Sequence, residues 1–282
     1  KPNEFEDSIA MVSLYRPGPL EAGMVPRYIA RKHGKEKIKY IHPKLEPILE
    51  NTYGIGIYQE QMMRIARDLA GFTLSEADTL RKAIGKKIKV LLDSQKEKLL
   101  KGMMENGIDE KIAKEIWELF PSFARYGFNR SHAACYALIG YQTAYLKAHY
   151  PIEFTTALLN ADSGDIERIA FLVDESKKAG IQILPPDINK SFSDFMPEGE
   201  KSIRFGLLAI KNVGAAIVEE IINERGRGGP FANFPDFLKR IKHKDLNKKS
   251  LESLIKAGVF DSLNVERGSL LANVEEIVSY LQ

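Results

Sequence analysis

From residue 4 to residue 178, apolar side chains recur at helical spacing, and glycine or proline breaks the pattern at short intervals. A chain written this way has no long alternating runs to build a large sheet. It must bury its apolar stripes by packing short helices on one another. Residues 59–70 show the pattern clearly, with Met62, Met63, Ile65, Ala66 and Leu69 on one face. Residues 4–14, 24–30, 88–106, 133–149, 153–160 and 166–178 read as helices too. Thr73 or Ser75 caps a helix through Leu80 and Ile84, and Asp109 caps one carrying Ile112, Ile116, Trp117 and Phe120, which Pro121 ends. Pro17-Gly18-Pro19 reads as a rigid bend, with Gly107 and Gly180 as stops. Residues 53–58 and 202–207 are the strand-like segments. The expected fold class is mainly α: a multi-helix domain followed by a small helix-rich domain, with few short strands. Trp117, the Met residues and most Tyr residues are assigned to the core.

With 282 residues there is room for one large or two medium domains. The turn-rich Leu184-Pro185-Pro186-Asp187-Ile188-Asn189 marks the expected boundary, and helices resume after Gly214 and Asn247. A hydrophobic content of 44% with 28% charged residues is ordinary for a soluble globular chain. No apolar run reaches membrane-spanning length, so no membrane partner is expected. The first residues lack the profile of a signal peptide, and a start without Met points to an excised piece. A single cysteine, Cys135, rules out an internal disulfide and suits a reducing, cytoplasmic setting. His33, His42, His149 and His243 show no metal-ligand spacing, and no metal site is expected.

The net charge of +3 is too small to identify a polyanion partner, but its distribution is uneven. Arg81, Lys82, Lys86, Lys87, Lys89, Lys96, Lys98 and Lys101 face only Asp93 and Glu97 within their own stretch. A second cluster holds Arg225, Arg227, Lys239, Arg240, Lys242, His243, Lys244, Lys248 and Lys249. Each alone reads as a solvated face; two on one chain shift the balance toward nucleic acid.

Three motifs carry chemistry. Asn129-Arg130-Ser131-His132 stands at a helix entrance, where Asn129 or Ser131 can cap and free backbone amides with Arg130 can hold an anion. A plain N-cap with incidental charge fits equally well. Arg81-Lys82-Ala83-Ile84-Gly85-Lys86-Lys87 ends a helix, and Gly85 is expected to turn Lys86 and Lys87 outward. It lacks the preceding glycines of a nucleotide-binding phosphate loop. Ile210-Lys211-Asn212-Val213-Gly214-Ala215, followed by Ile217, Val218 and Ile221, describes a helix–hairpin–helix, with Asn212 where such hairpins usually carry Gly. Such a hairpin holds duplex phosphates without reading bases; a simple connector is the other reading. Residues 251–261, with Lys256 and Gly258, form a weaker second copy. Asp187 and Asp194 could suggest a small metal nuclease, but a proline-rich turn gives two carboxylates no rigid frame.

Several motifs in one order carry a resemblance: Leu14-Tyr15-Arg16-Pro17-Gly18-Pro19, Arg31-Lys32-His33-Gly34, Tyr58-Gln59-Glu60-Gln61, the Arg81–Lys87 run, Phe128-Asn129-Arg130-Ser131-His132, residues 141–151, residues 184–189 and Ile210-Lys211-Asn212-Val213-Gly214. Together they resemble the alpha subunits of bacterial DNA polymerase III, the C-family replicative polymerases, over essentially the whole chain. The resemblance implies a fingers domain over residues 1–185, with a palm-junction remnant at its front, and a tandem helix–hairpin–helix domain over 186–282. It implies that Arg81, Lys82, Lys86, Lys87, Asn129, Arg130, Ser131 and His132 lie near the triphosphate of an incoming deoxynucleotide or the template. Tyr136 would lie near the nascent base pair, core packing being the alternative. Lys211, Asn212, Val213, Gly214, Ala215, Lys256 and Gly258 would contact duplex DNA. Primer-template DNA, deoxynucleoside triphosphates and other replicase subunits are the implied partners. In the family catalysis uses palm aspartates on Mg2+, and no palm motif occurs here, so the ligands are expected outside this chain. This piece is then expected to be inactive alone, with no catalytic residue of its own. A stand-alone DNA-binding or adaptor protein is the competing reading.

Overall fold

A computed structural model describes residues 2–86 and 89–281. The chain divides into two compact units, residues 1–144 and 145–282. Unit one contains α1 (Phe5–Leu14), α2 (Pro17–Glu21), α3 (Met24–Lys32), α4 (Glu46–Leu49), α5 (Gln59–Ala70), α6 (Leu74–Lys86), α7 (Lys89–Glu105), α8 (Glu110–Trp117), α9 (Phe120–Tyr126) and the first part of α10 (Arg130–His149). Unit two continues with α11 (Pro151–Ala161), α12 (Ile166–Lys178), the strands β1 (Gln182–Leu184), β2 (Met196–Pro197) and β3 (Ser202–Arg204), then α13 (Ala215–Gly228), α14 (Phe234–Arg240), α15 (Lys248–Ala257), α16 (Arg267–Ala272) and α17 (Val274–Leu281). The fold is mainly α, as expected. Among the described residues no helix is long and apolar enough to cross a membrane.

The main core of unit one joins α5 to α9. Ile65, Leu69, Leu80, Leu99, Ile116 and Phe120 are fully buried there, with Trp117 stacked on Phe120. Truncating any one such Leu or Ile to Ala typically costs about 2–5 kcal/mol, which is why the helical spacing of these residues dictates the packing. Gly102 sits inside α7, where glycine usually weakens a helix. A Cβ there would lie 2.2 Å from the carbonyl oxygen of Ala70, so the close approach of α7 to the end of α5 requires it. A second core seats α1 and α3 against the start of α10 through Ile9, Leu14, Tyr28, Ile57, Tyr58, Ala133 and Ala137.

In unit two the three-stranded sheet has the order β1-β3-β2, β1 parallel and β2 antiparallel to β3. The larger core gathers Ile188, Leu207, Ile217, Ile221, Phe237, Leu251, Leu254 and Phe260. The turn-rich stretch is stitched firmly into this unit: Ile188 N–H donates to the Val259 carbonyl, and Asn189 exchanges two hydrogen bonds with the Phe231 backbone.

Four local expectations change. Pro17-Gly18-Pro19 opens α2 rather than merely bending the chain, because a proline at the first helical position loses no intrahelical bond. Pro121 likewise lies in the first turn of α9 instead of ending a helix. Residues 53–58 are not a strand; Tyr53 turns through a left-handed conformation, and only an isolated parallel bridge joins Tyr58 to Phe128. Six tyrosines, among them Tyr15, Tyr136, Tyr141 and Tyr145, and the methionines Met11, Met104 and Met196 are exposed rather than core. On α10 the buried face is made of alanines, which leaves the rings outside.

Candidate nucleotide and nucleic-acid interface

The entrance of α10 is built by pairing two helix starts. Gln59 N–H donates to the Phe128 carbonyl and Phe128 N–H to that of Ile57, which pins the first turn of α5 beside that of α10. Buried Gln61 locks the approach: its side-chain oxygen accepts from the Ile57 and Tyr58 amides, and its nitrogen donates to Ile48 O and Thr52 Oγ1. From this platform Glu60 reaches across, and its carboxylate accepts the Arg130 N–H at 3.0 and 3.1 Å. Asn129 Oδ1 accepts the His132 N–H at 2.8 Å and is the N-cap.

The expectation of free amides at this entrance is therefore corrected. Two of the first-turn donors are already satisfied, one of them by a resident carboxylate lying where a helix terminus would otherwise favour an anion. What the entrance can offer an anion is therefore mainly its side chains. The Arg130 guanidinium lies 5.9 Å from the centre of the Tyr58 ring and pairs with Glu6, on α1, both side chains being partly exposed. Burial first, then the Glu6 carboxylate, pushes the Tyr58 hydroxyl up, so it stays neutral. Beside this lies a cleft of about 320 Å³ lined in part by Asn51, Tyr58, Glu60, Arg64 and Arg130.

A ladder of rings leads away from the entrance. The Arg16 guanidinium stands 4.7 Å above Phe128, Phe128 lies 5.7 Å from the His132 ring, and His132 lies 4.8 Å from Tyr136. His132 and Tyr136, one turn apart, are both exposed, Tyr136 at 58%, while Ala133 and Ala137, on the adjacent face of the helix, are buried. Within this chain, then, the Tyr136 ring is outside any core. Arg16 is held in place by donating to the Ser13 and Tyr126 carbonyls.

The Arg81–Lys87 run behaves differently. The helix α6 continues through Gly85 to Lys86, so the expected turn at Gly85 does not form; Lys87 lies outside the described residues. Arg81 and Lys82 both pair with Asp78, one turn earlier, and Lys86 is exposed. Among the described residues no hydrogen bond, ion pair or ring contact joins this run to Asn129–Tyr136. The wider basic clusters are also partly neutralised by acids outside their own stretch. Lys98 pairs with Glu76, and Lys248 with Glu275. Arg225 donates to the Ile188 and Ser191 carbonyls, and Arg240 is held by Glu224, Asp236 and the Gly229 carbonyl. Those two arginines are structural.

In unit two, Asn212 takes the left-handed conformation expected of it, with φ 65°, and its side-chain amide donates to Ser253 Oγ. The arm before it is a single 3-10 turn (Leu207–Ala209) rather than a full helix. Val213 is buried, whereas Lys211, Gly214 and Ala215 are exposed. Gly214 is the N-cap of α13 and offers no side-chain cap, so this terminus is open in a way that α10 is not. The second copy is more closed. Gly258 is buried, in the left-handed conformation at φ 83°, and its N–H donates to the Ile255 carbonyl. Arg267 closes over it, donating to the Lys256 carbonyl and pairing with Asp261, while Lys256 pairs with Glu252. Asp187 accepts the Asn189 amide in a local turn. Among the described residues no group of three or more His, Cys, Asp or Glu could hold a metal ion.

Glu6, Glu60, Arg16 and Phe128 were not singled out by sequence reasoning as site residues. Arg16, Glu60 and Phe128 lay inside the motifs of the resemblance; Glu6 carried no signal, because its partner is 124 residues away.

Residues 1–107 match the family described as the bacterial DNA polymerase III alpha subunit finger domain, and residues 180–270 match a helix-hairpin-helix motif. The chain is 47% identical over 99% of its length to the DNA polymerase III subunit alpha of Thermus aquaticus, covering 23% of that protein. It is 50% identical over 98% of its length to that of Chlamydia pneumoniae, covering 22%, and 47% identical over 96% to that of Escherichia coli K12, covering 24%. It spans about a quarter of the length of the curated relatives it matches.

Proposed function

The chain belongs to the family of bacterial DNA polymerase III alpha subunits, and from that premise we propose that its fingers part holds the triphosphate and base of an incoming deoxynucleotide while its helix–hairpin–helix part grips the duplex backbone. The fingers part is taken as residues 1–185 and the hairpin part as 186–282. The observation that carries the reading is the Phe128–His132–Tyr136 ladder, exposed at His132 and Tyr136 and covered at Phe128 by Arg16, with Arg130 on the same first turn of α10. A helix that buries alanines and leaves an imidazole and a phenol in solvent forgoes apolar burial it could have had. A flat base against Tyr136, with phosphates toward His132 and Arg130, makes use of both. Lys82, Lys86 and Arg81, on α6, serve a more distant phosphate or the template strand.

The whole enzyme transfers a nucleotidyl group to a primer 3′-hydroxyl. Mg2+ ligands and catalytic acids belong to another part of the subunit, so this stretch binds and positions without catalysing by itself. Other replicase subunits and primer-template DNA complete its partners in the cytoplasm. The stand-alone adaptor reading is set aside, since nearly the whole chain aligns within relatives of which it is about a quarter.

The hairpin at Asn212 supplies the duplex contact. The open N-terminus of α13, flanked by Lys211, suits a phosphate oxygen and offers nothing to a base edge. Binding is expected to be indifferent to sequence and to weaken steeply with salt.

The test is steady-state extension by the full-length subunit. His132→Ala and Arg130→Ala should each raise the deoxynucleotide KM about ten-fold, the lower end for a charge-assisted hydrogen bond, and barely change duplex affinity. An unchanged KM in both removes the nucleotide role; a loss of duplex affinity instead moves the motif to DNA.

A further inference from the structure

Resting on that reading, we infer that Glu6 is a resident stand-in for the nucleotide phosphate: it holds the Arg130 guanidinium and must be displaced when a triphosphate binds. Three observations carry this. The Arg130 guanidinium pairs with Glu6, the same charge-assisted contact a phosphate oxygen would make. Both side chains are partly exposed, at 42% and 38%, so the pair is reachable from solvent and too weak to be a structural clamp. The main-chain position of Arg130 does not depend on the pair, because Glu60 independently holds its N–H and the Phe128 bridge holds the chain two residues before it. The guanidinium can therefore change partner while the helix entrance stays fixed. Glu6 itself sits on a firmly anchored element: the next residue, Asp7, is tied by Lys32, Tyr28 and two backbone amides. The acid stays and the ligand has to compete with it.

Removing the charge of Glu6 then strengthens nucleotide binding, the reverse of what loss of an ordinary site residue does. An exposed pair of this kind is worth up to about five-fold in an equilibrium. The experiment is single-nucleotide primer extension by the full-length subunit, comparing wild type, E6Q, R130A and the double variant. E6Q should lower the deoxynucleotide KM about two- to five-fold. In the R130A background the same substitution should leave KM unchanged. Partial misfolding of a variant lowers the active fraction and hence kcat, not KM, so it cannot imitate this result. If R130A raises KM but E6Q leaves it unchanged or raises it, Glu6 is not a competitor and the inference is wrong while the nucleotide site stands. An E6Q gain that persists without Arg130 overturns it as well. An unchanged KM in R130A removes the nucleotide site and this inference together.

Discussion

Asp7 is the polar keystone of the first helix, and replacing it tests the account of how the site is supported. Its carboxylate is buried and accepts four donors: the Asn3 and Glu4 amides at 3.0 and 3.1 Å, the Tyr28 hydroxyl at 3.1 Å and Lys32 Nζ at 2.5 Å. The side chains of Asp7 and Lys32 are only 6% and 10% exposed. Burial pushes the carboxyl up, but the bonds from Lys32, Asn3, Glu4 and Tyr28 outweigh it and hold Asp7 below its ordinary range. Asp7→Ala removes the charge partner of Lys32, leaving its ammonium the Asn3 side-chain oxygen, and takes the acceptor from two amides and the Tyr28 hydroxyl. Breaking a buried pair from one side costs about 3–5 kcal/mol. Asp7→Asn keeps an acceptor oxygen for the amides but loses the charge and turns the oxygen facing Tyr28 into a donor, so it should cost less than Asp7→Ala. The double variant Asp7→Asn with Lys32→Met removes both charges and should recover part of the loss. Trp117, the sole tryptophan, lies in the core of unit one, so its fluorescence in urea follows that unit alone. With a slope near 2 kcal/mol per molar urea, about 3 kcal/mol moves the midpoint by about 1.5 M. A shift of less than about 0.5 M for Asp7→Ala would refute the claim that this network anchors α1.

Gly102→Ala should destabilise unit one by about 1–3 kcal/mol in the same assay, because the new methyl meets the Ala70 carbonyl. A neutral or stabilising result, as for glycine in an ordinary helix, would show that the close approach is not needed. Asn212→Gly should leave the melting temperature nearly unchanged, whereas Asn212→Ala should lower stability by about 1–2 kcal/mol, since alanine resists the left-handed turn and cannot reach Ser253. Equal effects of the two would refute the backbone argument. The hydrogen bond from Lys98, then those from Thr73, draws Glu76 down to about 2 from an ordinary 4.5. The unfolded chain therefore binds this proton more readily, and stability rises with pH between about 2 and 4.5 and is lost as pH falls. Urea midpoints across that range should change less steeply in Glu76→Gln than in wild type.

Much of the helical scaffold is legible along the chain, because its causes are local. The spacing of Met62, Ile65, Ala66 and Leu69 specifies the buried face of α5. Asp109 caps α8, Thr73 and Glu76 form a capping box before α6, and Gly107 terminates α7 in a left-handed turn. Asn212 could be assigned its turn because few residues accept that backbone. The same local reasoning failed at Gly85, where neighbouring propensity carried the helix onward, and at Pro17 and Pro121, where position within the first turn reversed the meaning of proline.

What sequence alone settled was which residues crowd the entrance of α10: an asparagine, an arginine, a serine, a histidine and nearby rings. Only the tertiary structure decided their electrostatics. Glu60 and Glu6 arrive from 70 and 124 residues away, and their carboxylates take the amide and the guanidinium that a linear reading leaves free. Periodicity and caps arise within a few residues, and so are written in the chain; which charge meets which is settled when distant helices pack.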